Sequence, residues 1–182
     1  MKQVAVLKRE RRILVAYASH FGTTGDVAKA IGKALQDQGA LVETKAIEAV
    51  QDLSDYDAVI VGSAIQYDKW IPQATKFVGQ HEEALGKVPV AFFFTCLALS
   101  VRNAKARRQG QAYADSLSAS FSQVTPVSVG GFAGVLDYTK LSMLTRLAAK
   151  IAFAFLGVKE GDHREWATIK AWAQNIGPKL LT

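Results

Sequence analysis

The chain has 182 residues, is 49% hydrophobic and 21% charged, and carries a formal net charge of +6. Those proportions fit one globular domain and exclude a disordered or low-complexity chain. A single cysteine, Cys96, excludes an internal disulfide framework and points to a reducing compartment.

The first twelve residues, MKQVAVLKRERR, hold five cations and one Glu and read as a basic N-terminal extension to a single domain over residues 13–177. The apolar run behind them, ILVAYA, is too short for a signal-peptide core. No uncharged apolar stretch approaches the ~20 residues a membrane-crossing helix needs. A cytoplasmic protein is expected. Arg102, Lys105, Arg107 and Arg108 form a second basic cluster, and Lys140, Arg146 and Lys150 a third. Residues 13–101 lean the other way, with six cations against ten anions. Such patchiness points to an anionic partner or surface, or to ordinary solvated helix faces. Nucleic acid ranks low as that partner, because the clusters lack interleaved aromatics and any recognisable motif.

In chain order, RILVAYAS is a continuous apolar run, the pattern of a strand buried on both faces. TGDVAKAIGKALQDQG sets Val27, Ile31 and Leu35 on one helical face and ends on Gly39, a helix stop. ALVETKAI alternates like a strand, and YDAVIVGSA is another buried run. WIPQATKFVGQH starts a helix near Pro72, whose missing N–H suits that position. VPVAFFFTC is a third buried run, and NAKARRQGQAYADSLSASF reads as a helix. VTPVSVGGF reads as a fifth strand, with Pro126 marking its start or an edge position. Two helices close the pattern, KLSMLTRLAAKIAFAFLG and GDHREWATIKAWAQNI, the second with Asp162 and Glu165 spaced as an N-cap and its N3 partner. Buried strands alternating with helices specify an α/β doubly wound sandwich around a parallel sheet.

Ligands of such sheets sit outside the carboxyl ends of the strands. The first loop there is SHFGTT. It offers the hydroxyls of Ser19, Thr23 and Thr24, a glycine at position 22 that permits close backbone approach, and the free N–H groups of the next helix. It has no Lys or Arg, and neither G-x-x-x-x-G-K-[ST] nor G-x-G-x-x-G is present. It reads as a phosphate cradle of amides and hydroxyls, or as a capped strand–helix turn.

YASHFGTT resembles the phosphate loop of the flavodoxin family, [ST]-x-[ST]-G-x-T. Ser19, Gly22 and Thr24 match, and Phe21 replaces the usual hydroxyl residue. DYDAVIVGSAIQYDKW, the basic stretch after FFFTCLALS, and GDHREWATIKAWA resemble the menaquinone-dependent protoporphyrinogen oxidase branch of that family. The resemblance spans roughly residues 13–177. It implies a flavodoxin-like fold with a five-stranded parallel sheet in the order 2-1-3-4-5, and FMN as cofactor. The FMN phosphate is then expected on Ser19, His20, Phe21, Gly22, Thr23 and Thr24. The ring is expected between Ala64, Ile65, Gln66 and Tyr67 on one side and Thr95, Cys96 and Leu97 on the other. Trp70 is a further candidate for packing on the ring. The Cys96 thiol reads as a small core group, not a redox centre.

The implied function is passage of electrons from a reduced tetrapyrrole through FMN to a quinone, in haem biosynthesis. Arg102 and Arg107 are expected to pair with carboxylates of the anionic substrate. No metal site is expected, since His20, His81 and His163 lack ligand spacing. A flavodoxin-type electron carrier, an NAD(P)H-dependent quinone reductase and a flavin-less scaffold stand as alternatives. Residues 139–157, apolar around most of a helix, read either as a core helix or as a contact with the inner face of the membrane.

Overall fold

The computed structural model describes residues 10–140, 146–147, 150, 153 and 157–181. The first buried run forms β1 (Arg12–Ala18) and the first amphipathic pattern α1 (Thr23–Gln36). They are followed by β2 (Leu41–Ala46), β3 (Ala58–Gln66), a two-residue β4 (Lys69–Trp70), α2 (Pro72–Gln80), α3 (Glu82–Leu85), β5 (Val90–Cys96), α4 (Ala104–Ala119) and β6 (Ser128–Ala133). The chain closes with β7 (Val135–Leu136), β8 (Gly161–Asp162) and α5 (Trp166–Leu180).

The main sheet runs β2-β1-β3-β5-β6, with every neighbour along that path parallel. This is the expected five-strand order; β4 adds itself antiparallel to the end of β3. Alternation along each strand divides the core. Ile13 and Val15 of β1, Ile60 of β3 and Phe93 of β5 face α1 and α5, meeting Val27, Ile31, Leu35, Ile169 and Ile176. Leu14, Val61, Phe92 and Phe94 face the opposite layer, with Phe77 and Val78 of α2 and Tyr113 and Leu117 of α4.

The caps follow the sequence in part. Gly39 sits at φ +90°, and Ala40 N–H reaches back to Leu35 O at 3.2 Å, the closure of a Schellman stop. Asn103 caps α4 by accepting from Ala106 N–H at 2.8 Å. Pro178 lies inside α5 and offers no N–H to the Gln174 carbonyl, which accepts from Gln38 Nε2 at 3.2 Å instead. The edge strand β2 is held by charge. Glu43 accepts from Arg12, Lys45 and Tyr56 at 2.6–2.9 Å, and these bonds hold its carboxyl down at about 2.

The structure corrects one expectation. Asp162 is not the N-cap of the last helix: it belongs to β8, paired with Val135 of β7, and its carboxylate is taken by Arg164. Glu165 stands at the N-cap, without a side-chain cap bond. The second helix starts at Pro72, as its sequence predicts, and Trp70 just before it is drawn into β4. The sheet begins at Arg12, where the run RILVAYAS starts, and α5 runs on to Leu180. The helix expected over 140–157 lies largely outside the described residues; Arg146, Leu147, Lys150 and Phe153 are helical. Among the described residues, no helix is long and apolar enough to cross a membrane.

Gly62 sits in β3, the strand flanked by both β1 and β5. A Cβ there would lie 1.9 Å from two ring atoms of the fully buried Phe93. Neither the ring nor the strand has room to yield. Gly62→Ala is therefore expected to cost about 1–3 kcal/mol or more by overpacking, read as a lower denaturant midpoint in urea unfolding with an unchanged slope. A midpoint equal to that of the native chain would contradict this packing.

Candidate functional site

Three loops leave the carboxyl ends of β1, β3 and β5 side by side. Their shared feature is polarity inside an otherwise apolar core. The buried polar side chains among the described residues are Thr24, Ser63 and Thr95, and all three lie at this end. Thr24 and Thr95 share a hydrogen bond at 2.9 Å between their Oγ1 atoms, which ties the first loop to the end of β5. Ser63 Oγ donates to Ala64 O at 2.9 Å and accepts from Ile71 N–H at 3.2 Å, which ties β3 to the start of α2.

The first loop ends on Gly22, the N-cap of α1, at φ +81°. A Cβ there would meet nothing within 4 Å, so the position needs glycine for its left-handed backbone and not for space. No side chain caps α1. Its first-turn N–H groups and its positive dipole end therefore face outward beside half-buried Ser19 and Thr23. His20 and Phe21 are exposed and meet edge to face, with ring centroids 6.5 Å apart. The Thr24 side chain is fully buried. Its hydroxyl serves Thr95, so only its main chain is turned to the loop.

Sequence reasoning found no cation in this loop, but the fold supplies one. Arg164, just after β8, donates to Thr23 O at 3.2 Å and to Asp26 at 3.1 Å. Asp162 holds the same guanidinium at 2.7–2.9 Å, and the Trp166 ring lies 4.4 Å from it. These carboxylates keep the guanidinium firmly charged, with its pKa raised. Arg164 lies in GDHREWATIKAWA, a segment the sequence singled out, but the contact spans 141 positions and no spacing rule reveals it.

The second loop is a hairpin turn between β3 and β4. Tyr67 (φ +48°) and Asp68 (φ +62°) are both in the left-handed region, the pattern of a type I′ turn normally made by Asn-Gly. A non-glycine pair there is strained and needs support. The support comes from α4: the Tyr113 hydroxyl donates to Asp68, and Gln109 Nε2 reaches Tyr113 Oη at 2.7 Å and Asp68 at 3.3 Å. Burial first, and then the bond to Asp68, push the Tyr113 hydroxyl up to about 12, so it stays a donor. The turn projects Tyr67 into solvent at 97% exposure. Ala64, Ile65 and Gln66 lead into it along β3. Trp70 does not join Tyr67. It is 4% exposed and packs edge to face on Phe92, 5.1 Å between centroids, because β4 turns its side chain into the core.

The third loop is the 3₁₀ turn Leu97–Ser100. Thr95 and Cys96 are buried and Leu97 is half-buried. Burial pushes the Cys96 thiol up, against the lowering effect of the Ala98 and Leu99 N–H groups. Ser100 Oγ is buried with no partner. Beyond it, Arg102 pairs with Glu165, and Arg107 is exposed on α4. Between β6 and the start of α5 lies a cleft of about 200 Å³ lined by Leu99, Phe132, Glu165 and Thr168 among others. Among the described residues, no group of three His, Cys, Asp or Glu side chains could hold a metal ion.

The arrangement is a helix start without a side-chain cap, flanked by two loops at the switch point of a doubly wound sheet. A family model described as a flavodoxin domain matches residues 14–160, and the chain belongs to that family. Membership implies a flavin cofactor. The chain is 24% identical over 172 residues to the protoporphyrinogen IX dehydrogenase (quinone) of Escherichia coli strain K12, covering 91% of this chain and 94% of that protein. It is 26% identical over 181 residues to the protein of the same name from Leishmania major, covering 91% and 74%. Among solved structures, an archaeal flavodoxin superposes with a TM-score of 0.53 at 16% identity, covering 94% of this chain and 99% of that one. A short-chain flavodoxin associated with a bacterial microcompartment gives 0.56 at 11% identity, covering 93% and 99%. At these identities the structural likeness is one of fold.

The Thr24–Thr95 bond can be weighed directly. Thr24→Val strands the Thr95 hydroxyl and is expected to cost about 1–2 kcal/mol, and Thr95→Val the same. The double variant, which strands nothing, is expected to cost clearly less than the two singles together. Strict additivity in a double-mutant cycle of urea unfolding would deny the two hydroxyls any coupling.

Proposed function

We propose that the chain is an FMN-dependent oxidoreductase that takes hydrogen from a reduced tetrapyrrole and passes it to a quinone. The observation that carries the cofactor assignment is the start of α1, where first-turn N–H groups without a side-chain cap open beside the hydroxyls of Ser19 and Thr23. A phosphate is favoured there by direct hydrogen bonds and by the helix dipole. In this reading Ser19, His20, Phe21, Gly22, Thr23 and Thr24 hold the FMN phosphate, largely through the main chain. The Arg164 guanidinium, answered by Asp26 and Asp162, holds Thr23 O and so fixes the first turn of this cradle. Ala64, Ile65, Gln66 and Tyr67 flank one side of the ring, and Thr95, Cys96 and Leu97 the other. The unpartnered Ser100 Oγ is a further group available to the ring's polar edge. The donors and the orphaned hydroxyl fit a phosphorylated cofactor with a polar-edged ring.

Bound there, FMN supplies the two-electron, two-proton redox chemistry. The chain binds and orients it. Tyr67, held at the tip of a braced turn, shields the ring from water. The raised Cys96 thiol stays protonated and takes no electrons. For each quinone reduced to quinol, the donor loses two electrons and two protons and the quinone gains the same. The names of the relatives from Escherichia coli and Leishmania major support a tetrapyrrole donor and a quinone acceptor. Arg102 and Arg107, beyond the Leu97–Ser100 turn, suit the carboxylates of such a donor, the first by exchanging Glu165 for a substrate carboxylate.

The spectrum of the purified protein, after FMN is added and excess removed, tests the cofactor. A bound-flavin spectrum is expected, and it is expected to disappear in Thr23→Glu. A carboxylate at the first helical position favours the helix but opposes a phosphate, so the variant is expected to keep its thermal midpoint. A Thr23→Glu protein that retains flavin would rule out this cradle.

Stopped-flow mixing then identifies the donor. Protoporphyrinogen is expected to bleach the flavin; rapid bleaching by NADPH would replace this reading with an NAD(P)H-dependent quinone reductase. In the same assay, Arg102→Ala combined with Arg107→Ala is expected to raise the KM for protoporphyrinogen about tenfold, equivalent to ~1.4 kcal/mol. An unchanged KM would remove both arginines from substrate binding.

A further inference from the structure

The last residues that the β3–β5 ladder pairs are Ala64 and Thr95. Beyond them the second and third loops part, and no ladder fixes the distance between the two. α4 spans that gap. In its second turn, Gly110 lets the third loop come close: a Cβ there would lie 2.9 Å from Leu99 Cδ2. Toward the second loop, Gln109 and Tyr113 stand one helical turn apart. Gln109 Nε2 reaches Tyr113 Oη at 2.7 Å and Asp68 at 3.3 Å, and the Tyr113 hydroxyl donates to the same carboxylate. The Tyr113 ring meets Phe94 edge to face, 5.8 Å between centroids, directly before Thr95. One side chain thus touches both the strand that leads into the third loop and the turn that ends the second.

The strain in that turn does nothing for the core. Tyr67 is 97% exposed, so packing does not hold it. Left-handed backbone at two successive non-glycine residues is costly and persists only where the surroundings enforce it. The enforcing bonds come from residues 41 and 45 positions away. Phe at position 113 would pack on Phe94 as well as Tyr does, and the hydroxyl is engaged only with Asp68 and Gln109. Strain maintained by distant contacts marks a side chain that must be held where it would not otherwise stay.

We propose that Tyr113, assisted by Gln109, is a positioning residue for the flavin ring: by holding Asp68 it fixes Tyr67 at a set distance from Thr95, Cys96 and Leu97, and so sets the width of the slot between the two loops. The proposal rests on the flavin reading above. Tyr113 acts through Asp68 and the turn, not by touching the ring. With the latch closed, the slot is formed before the ring enters, and binding costs no ordering of the turn. With the latch broken, the turn relaxes, Tyr67 leaves its place, and water reaches that face of the ring.

Tyr113→Phe removes the hydroxyl and keeps the ring on Phe94. In the flavin-free protein, the Lys69 amide, paired with Gln66 across the turn, is expected to exchange its hydrogen faster in this variant, while the amides of β5 keep their native rates. In the FMN-loaded protein, iodide is expected to quench the flavin fluorescence more strongly, and the Kd for FMN is expected to rise several-fold. Asp68→Gly, added to Tyr113→Phe, supplies a residue that takes the left-handed conformation without strain. The double variant is expected to bring exchange, quenching and Kd back toward native values. A Tyr113 hydroxyl that serves stability alone would lower the thermal midpoint and leave the flavin's exposure to iodide unchanged. Native quenching and Kd in a Tyr113→Phe protein that binds FMN, or no recovery on adding Asp68→Gly, would overturn the proposal and leave the flavin reading in place. A native chain that takes up no FMN would overturn both.

Discussion

A sheet covered on both faces has no place for an unpaired polar group. That constraint organises this molecule. β1, β3 and β5 are buried over most of their length, and their main-chain groups are consumed by parallel ladders on either side. Polar side chains are admitted only where the ladders end. Thr24, Ser63 and Thr95 gather at that boundary, and each is spent on joining one loop or element to another. Three loops that diverge in sequence are thereby held together as one rigid rim. The groups left over on the rim, chiefly the helix-start amides and the Ser100 hydroxyl, are the ones available to a ligand.

The rim also shows how a strained element is kept. Tyr67 and Asp68 occupy backbone conformations in which an aromatic and a carboxylate residue are rare. Free of the fold, this turn would relax. It persists because α4 grips Asp68 through a tyrosine whose burial keeps its proton in place. The strain is thus carried by a helix far along the chain, and its product is a single aromatic side chain held outward. The basic patches show the same economy: Arg12 and Arg102 are each answered by a carboxylate, while Arg107 is left exposed.

Local patterns in the sequence were sufficient for the scaffold. Val27, Ile31 and Leu35 are fully buried along one side of α1, Gly39 stops it in a left-handed conformation, and the apolar runs are the inner strands. The place of the candidate site was read from topology alone. What stayed hidden depends on residues distant in sequence. The turn at Tyr67 has neither Asn nor Gly, so no turn signal marks it, and without the turn β4 and the inward course of Trp70 cannot be inferred. Asp162 carries the spacing of a helix cap, but its strand partner lies in β7, far back along the chain, and pairing overrides the local preference. Arg164 reads as one more charge in a polar segment until the fold sets it against Thr23.

That last contact bears on when the protein becomes competent during its synthesis. β1 and α1 emerge from the ribosome early, and α1 can pack on the growing sheet as soon as β3 has joined it. The guanidinium that fixes Thr23 O and Asp26 arrives 141 positions later, with the β8 strand that holds it and the α5 helix that covers the same face. Until then the first turn of α1 lacks its brace. The first turn of α1 is therefore completed only late in synthesis, when β8 and the final helix have docked.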